Sequence, residues 1–407
     1  MVPRRLVRPA VLLAAAAAAS SMMGVSTTAT TAATLPPIHH VFVIVLENES
    51  SSATFGNPTA DPYLAGTLKG QGAYLPNYYG IGHESNDNYI AMVSGQAPNP
   101  ENQADCQFYD QFVGTGPLIT GTGTPLDGQA PGAGCVFPTS VPDLATQLVH
   151  SGDTWKGYME DMGNVPGRES AQCGHPTLGR QDMTQSAVAG DGYVSRHDPF
   201  VYFQSIIGDP TYCAAHVVPL GSPSLNATSG LVADLRNTKS APTPNLSFIV
   251  PDVCDDGHDY PCTNETIGSS ALDDIDTFLS TWVPRIESSS AYQNNGLIVI
   301  TFDEAVGPPN GDSSSCCNEM PGPNSPLPGI NGMGGGKVGA VLLSPFIKCG
   351  TVSTTAYNHY ALLGSIEQLF GVARLGFAAD VPNTFGSDIY TNFPKSSKGT
   401  ANSCSVS

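Results

Sequence analysis

Acidic and imidazole side chains gather at a few points of this 407-residue chain, each just after a short apolar run. VFVIVL (41–46) is followed by Glu47-Asn48, and LSFIV (246–250) by Pro251-Asp252-Val253-Cys254-Asp255-Asp256-Gly257-His258-Asp259. GLIVITF (296–302) is followed by Asp303-Glu304. Ligands of an open α/β sheet bind beyond the carboxyl ends of its strands, so the three segments bring hard oxygen donors and an imidazole to one edge. Such donors suit a divalent cation. Two further segments add other chemistry. In GHESNDNY (82–89), Ser85 opens a helix whose first N–H groups attract an anion, and a nearby metal lowers a serine pKa. His83 is carried with it as a catalytic candidate. In Asn358-His359-Tyr360, His359 could donate to a phosphate, ligate a metal or protonate a leaving group.

Each group also has a plainer role. Serine is a common helix cap, acidic pairs at strand ends are commonly solvated, and a lone histidine is commonly a satisfied core-edge residue. Asp255, Asp256 and Asp259 around Gly257 could form an Asx-rich turn. What favours chemistry is the joint occurrence of five such groups at element ends in a chain with only 13% charged residues.

The elements that must position these residues are legible from the same runs. With TWKGYM (154–159) and KVGAVLL (337–343), the apolar runs read as strands buried on both faces. Helical stretches are expected at 85–96, 141–150, 269–283 and 358–371. The fold class is therefore α/β, a mostly parallel sheet with helices between its strands. With 44 Gly and 34 Pro, a helical bundle or coiled coil is excluded. Gly/Pro/Asn/Ser-rich stretches at 97–140, 162–196 and 305–336 carry several cysteines and read as long insertions forming cleft walls.

Arg4, Arg5 and Arg8 precede an Ala-rich apolar run, so residues 1–33 read as a signal peptide, by the general or the twin-Arg route. The remainder, 34–395, is expected to be one domain with a C-terminal tail at 396–407. Loss of three arginines takes the net charge from −19 to −22. So acidic a surface repels nucleic acid, and no later segment is long and apolar enough for stable membrane insertion. Ten cysteines downstream of the signal suit disulfides in a secreted, extracellular protein. Short loops make Cys106–Cys135 and Cys254–Cys262 natural pairs, and the adjacent Cys316 and Cys317 have poor geometry for one zinc ion.

VFVIVLEN, GHESNDNY, TWKGYMED, HDPFVYF (197–203), FIVPDVCDDGHD, LIVITFDE, GAVLLSPFI and YNHYALLGSIEQLFG occur in an order that resembles a bacterial secreted phosphoesterase family. That family holds acid phosphatases and non-haemolytic phospholipases C and is a branch of the alkaline-phosphatase superfamily. The resemblance covers about residues 38–375 and implies a doubly wound, mostly parallel sheet with helices on both faces. It also implies a covalent phosphoenzyme. By this resemblance Ser85 stands at the nucleophile position and Asn88 at the phosphate-binding one. Glu47, Asn48, Ser85, Asp303 and Glu304 stand as metal ligands. Asp252, Asp255, His258 and His359 resemble a second metal or acid site. With Glu304 where the superfamily has histidine, the site near Ser85 would be all oxygen, favouring calcium, magnesium or manganese with zinc possible. The family usually reads HPSLPNY around its nucleophile, and here Glu84, Asn86 and Asp87 replace Pro, Leu and Pro.

The expected activity is hydrolysis of phosphate monoesters through a phosphoserine, with His258 or His359 protonating the leaving alcohol, on a small phosphorylated substrate. One alternative is a phospholipase C acting on a phospholipid headgroup, for which Phe108, Tyr109, Phe112, Leu118 and Ile119 would supply an apolar rim. The other is a catalytically silent, metal-stabilised secreted binding protein.

Overall fold

The computed structural model describes residues 35–239, 242–262 and 270–392; the expected signal peptide and C-terminal tail lie outside them. An eight-stranded sheet organises the chain. In chain order its strands are β1 (His40–Leu46), β2 (Ala73–Leu75), β3 (Trp155–Met159), β4 (Val217–Pro219), β5 (Leu246–Val250), β6 (Gly296–Phe302), β7 (Ala340–Leu343) and β8 (Thr351–Val352). Across the sheet the order is β8-β2-β7-β6-β1-β5-β3-β4. From β6 through β1, β5 and β3 to β4 every pairing is parallel, whereas β7 is antiparallel to both β6 and β2. All five apolar runs form strands. The central ones, β1, β5 and β6, are buried along almost their whole length, which requires cover on both faces and explains why they show no polar alternation.

The register fixes the site. β1 lies between β5 and β6, with Ile44 opposite both Ile249 and Ile300. The chain leaves β5 and β6 on opposite sides of β1, so the crevice of a doubly wound sheet opens at its carboxyl end. The four expected helices are present as α1 (Ser85–Ser94), α2 (Leu144–Ser151), α3 (Ala271–Glu287) and α4 (His359–Phe370). Polar caps start three of them: Asp143 accepts from Thr146 N, Ser270 from Asp273 N, and Asn358 from Ala361 N. α1 differs. All ten of its residues are buried, and it packs against α4, so its start is held from outside the helix.

The insertions belong to the same core: Tyr109, Phe137 and Tyr193 from them are buried with the sheet residues. Disulfides tie them down, joining Cys106 to Cys135, Cys173 to Cys213, Cys254 to Cys262 and Cys316 to Cys317. No described cysteine is free. No described helix is long and apolar enough to cross a membrane.

A short helical stretch, Pro62–Leu68, follows Asp61. Its free Tyr63 and Leu64 N–H groups donate to the Asp276 carboxylate of α3 at 2.8 and 3.1 Å. Asp61 is fully buried beside Asp276, and both its carboxyl oxygens lack a partner. Burial first, and Asp276 second, push its pKa up to about 9.

Candidate active site

Four loops meet where β1, β5 and β6 end. Immediately after β1, Glu47 is buried, and Asn48 takes a left-handed φ of 55°, a region that asparagine tolerates. That turn aims the Asn48 N–H at Asp303 Oδ1, 3.1 Å away, while the Glu304 N–H donates to the same oxygen at 2.6 Å. After β5, Asp256 is fully buried, and its backbone carbonyl accepts from the Glu47 N–H at 2.9 Å. The fourth loop is the turn before α1, where Glu84 is the cap residue and Ser85 the first residue of the helix.

The Ser85 hydroxyl caps nothing. Its Oγ lies 3.1 Å from Glu47 Oε2 and 3.1 Å from His197 Nε2. His197 Nδ1 faces Asp256 Oδ2 at 3.1 Å, its Nε2 is 3.4 Å from Glu47 Oε1, and its ring stacks on Tyr89 with centroids 5.3 Å apart. A serine, an imidazole and a carboxylate therefore stand in line. Burial, then the nearby Arg196 and His258, hold the His197 pKa well below the ordinary histidine value, so the ring is neutral and one nitrogen can accept a proton. Carboxylates crowd around it. Burial and then the neighbouring Asp303 and Asp256 drive the Glu47 pKa well up, burial does the same for Asp256, and Asp303 is raised to about 6, chiefly by burial.

This crowding tests whether a metal fits. Glu47, His197 and Asp256 offer donor atoms that lie within 4.8 Å of one another. Glu47 Oε1, Asp303 Oδ2, Asp256 Oδ2 and His197 Nδ1 are buried without hydrogen-bond partners. Buried carboxylates without counter-charge are costly, and a divalent cation held by Glu47 and Asp256 would offset them. The donor set fits one.

The expected set is redistributed. Glu47, Ser85 and Asp303 meet at the site. An imidazole, that of His197, stands among the carboxylates, and Glu304 turns away from them. Glu304 Oε2 accepts from Asn88 Nδ2 at 3.2 Å, and its Oε1 is 4.0 Å from His83 Nδ1, so His83 meets Glu304 rather than Ser85. Asn88 is taken up by its own loop: its Oδ1 accepts from the Ile81 and Gly82 N–H groups, and its Nδ2 also donates to the Gly82 and Glu84 carbonyls.

Asp252, Asp255, His258 and His359 do not form one group. Asp252 accepts from the Cys254 and Asp255 N–H groups, the Asx-turn role, and with Asp255 joins Glu160 in a separate acidic cluster. His359 is fully buried behind the site, with Nε2 donating to the Asp303 carbonyl at 2.5 Å and Nδ1 3.2 Å from the Tyr78 hydroxyl. Burial lowers its pKa to about 4. His258 stays at the site edge, its ring 5.8 Å from that of His197 and its Nδ1 2.8 Å from Asp259 Oδ1. Of the five residues expected to form an apolar rim, Tyr109 and Phe112 are core residues and Leu118 and Ile119 are half-buried; Phe108 is well exposed.

His197 and Arg196 escaped sequence reasoning, and Asp256 was named only as part of the donor-rich segment after β5 and of its Asx-rich turn. His197 sits in a short 3-10 turn (Ser195–His197) with no strand before it, so the rule of looking beyond strand ends passes it over. The available signal was the HDPFVYF string, whose histidine is followed by an aspartate and a proline at a point where a long polar insertion ends.

A model described as the Phosphoesterase family matches residues 63–373. A phosphatidylinositol-3-phosphatase of Mycobacterium tuberculosis is 26% identical over 84% of this chain and 79% of its own length. An acid phosphatase of Aspergillus fumigatus is 24% identical over 76% of this chain, which spans about half (51%) of that protein. Among solved structures, a protein of the alkaline phosphatase superfamily from Vibrio parahaemolyticus aligns over 83% of this chain and 67% of its own, with a TM-score of 0.45 and 13% identity.

Proposed function

Because the chain belongs to the Phosphoesterase family and is a hydrolase of phosphoric esters, we propose that it is a secreted, metal-dependent phosphate monoesterase with Ser85 as nucleophile. The observation that carries this reading is the Ser85 hydroxyl held between Glu47 and the neutral His197 at the start of α1. Glu47 and Asp256, with Asp303 against Glu47, would hold a divalent cation, which supplies charge neutralisation for a phosphoryl oxygen when bound, and His197 is left to Ser85.

The chain's own residues account for the proton movements. His197 Nε2 accepts the Ser85 proton as Oγ forms its bond to phosphorus. In-line displacement puts the departing alcohol opposite the incoming oxygen, so a second acid is needed away from His197. His258 is placed for that task at the site edge, and Asp259 at its Nδ1 supports the extra charge. The P–O bond to the alcohol breaks as the alcohol takes the His258 proton. A water then gives a proton to a histidine, its oxygen bonds to phosphorus, and Ser85 leaves with a proton restored. The start of α1 adds oriented N–H groups near the phosphoryl oxygens. Asn88, bound to its own loop, shapes the Ser85 turn.

Turnover of p-nitrophenyl phosphate against p-nitrophenylphosphorylcholine, each with and without chelator, tests the reading. The expected result is chelator-sensitive monoester turnover with radiolabelled phosphate trapped on Ser85 at low pH. Preference for the choline diester would make the chain a phospholipase C. Metal binding without turnover of either ester would make it a silent binding protein.

A further inference from the structure

Arg196 is a buried cation among carboxylates, and nothing in the reaction as derived uses it. It is 4% exposed, adjoins His197 in sequence, and is the basic side chain acting on Glu84, Asp256 and His197. Its backbone carbonyl accepts from Asn86 Nδ2 at 3.2 Å, which ties it to the residue after Ser85. The guanidinium is only partly engaged. Nη1 donates to the Gln185 carbonyl at 2.7 Å, and Nη2 lies 3.2 Å from His258 Nε2. Nε faces Asp105 Oδ2 at 3.5 Å and makes no hydrogen bond. Asp105 in turn accepts from the Asn86 N–H at 3.0 Å, so one carboxylate links the guanidinium to the first turn of α1. An arginine has five N–H donors in a flat fork suited to two oxygens of one phosphate, and here only two of them make a described hydrogen bond.

The geometry points to Arg196 as the specificity-determining residue that receives the non-bridging oxygens of a phosphate monoester. The inference rests on the phosphoesterase reading above and adds to it the residue that selects a monoester over a diester. Glu47 contacts Ser85 and Glu84 precedes it, with Asp105 and Asp303 close to Glu84, and carboxylates so placed disfavour a phosphate. A monoester dianion has a second free oxygen charge that a diester lacks, so it gains more from a bidentate cation in a water-poor site.

The test compares wild type with Arg196→Gln and Arg196→Lys on p-nitrophenyl phosphate and bis(p-nitrophenyl) phosphate, together with calorimetric binding of inorganic phosphate to the same holoproteins. Arg196→Gln is expected to lower kcat/KM for the monoester at least ~100-fold and for the diester less than ~10-fold, and to weaken phosphate binding at least ~10-fold. Arg196→Lys keeps the charge without the fork and should fall between the two. An equal loss on both esters with phosphate affinity unchanged would overturn the inference and leave Arg196 as a brace for His258. If Arg196→Gln does not fold, the ester ratio and phosphate affinity of Arg196→Lys decide in the same way. Should wild type turn over neither ester, the phosphoesterase reading fails separately. Phosphate binding lost in the variants would still support the anion site, and no phosphate binding by wild type would overturn it.

Discussion

Ser85 shows how little of a side chain's role resides in its type. A serine at the start of a helix is a ready-made cap, but here Glu84 takes the cap position and the hydroxyl points at Glu47 and His197. Ser85→Ala should therefore cost folding only about 1 kcal/mol, the size of ordinary hydrogen bonds, while turnover falls on the order of 10³-fold or more. Thermal unfolding beside single-turnover kinetics checks both, and a variant keeping a tenth of the wild-type rate would end the nucleophile assignment. The histidines separate by what their nitrogens touch. His359 has both ring nitrogens engaged behind Asp303, so His359→Gln should slow alkyl phosphates and p-nitrophenyl phosphate by the same factor. His258→Gln should hurt the alkyl phosphates at least ~10-fold more, because an alkoxide needs a proton that nitrophenolate does not. Glu47, Ser85 and Asp303 were legible as site residues because each directly follows or opens a recognisable element. His197 was not, since its position depends on how a long insertion folds back, and local pattern carries no record of that.

At the scale of elements, strand ends were readable and loop directions were not. The five apolar runs gave the strands, yet that Asp303 lies against Glu47 while Glu304 turns to Asn88 depended on the turn after β6, where the Asp303 carboxylate is seized by two backbone N–H groups. The antiparallel β7 and the short β2, β4 and β8 were also beyond the pattern, because two to four residues carry too little periodicity to separate direction or type. Where α3 meets the stretch after Asp61, a pH dependence follows. The folded protein holds a proton on Asp61 up to about pH 9, whereas the unfolded chain gives it up near the ordinary aspartate value of 3.8. The folded state thus binds more protons between those values, and stability falls as pH rises through that window. Asp61→Asn removes the effect. The variant should be more stable than wild type by at least ~1 kcal/mol at pH 8, with the gain shrinking toward pH 4. Melting temperatures across that range check the slope, and an equal gain at both ends would show that charge is not the cause.

For the whole molecule, fold class was the most readable property, because continuous apolar runs separated by helical patterns admit few architectures other than a covered parallel sheet. The site binds that architecture together. Glu47, His197, Asp256 and Asp303 come from segments on three strand ends and an insertion, all with buried carboxylate or imidazole atoms left without partners. Removing the cation should consequently cost stability as well as activity. Exhaustive chelation is expected to lower the melting temperature and abolish monoester turnover together, and restoring a divalent ion should return both. Glu47→Gln and Asp303→Asn should each lower stoichiometric metal content in elemental analysis. Pure, active protein without bound divalent metal would refute the metal assignment.

The bond between Cys173 and Cys213 closes a ring, with a sequence separation of 40, that contains Arg196 and His197. A cross-link of that span narrows the unfolded ensemble by about 4 kcal/mol, and it does so for the segment that sets His197 beside a serine from a different part of the chain. Reduction should therefore loosen residues 173–213 ahead of the sheet, so that thiols would register in the surroundings of Ser85 before they register in the fold as a whole.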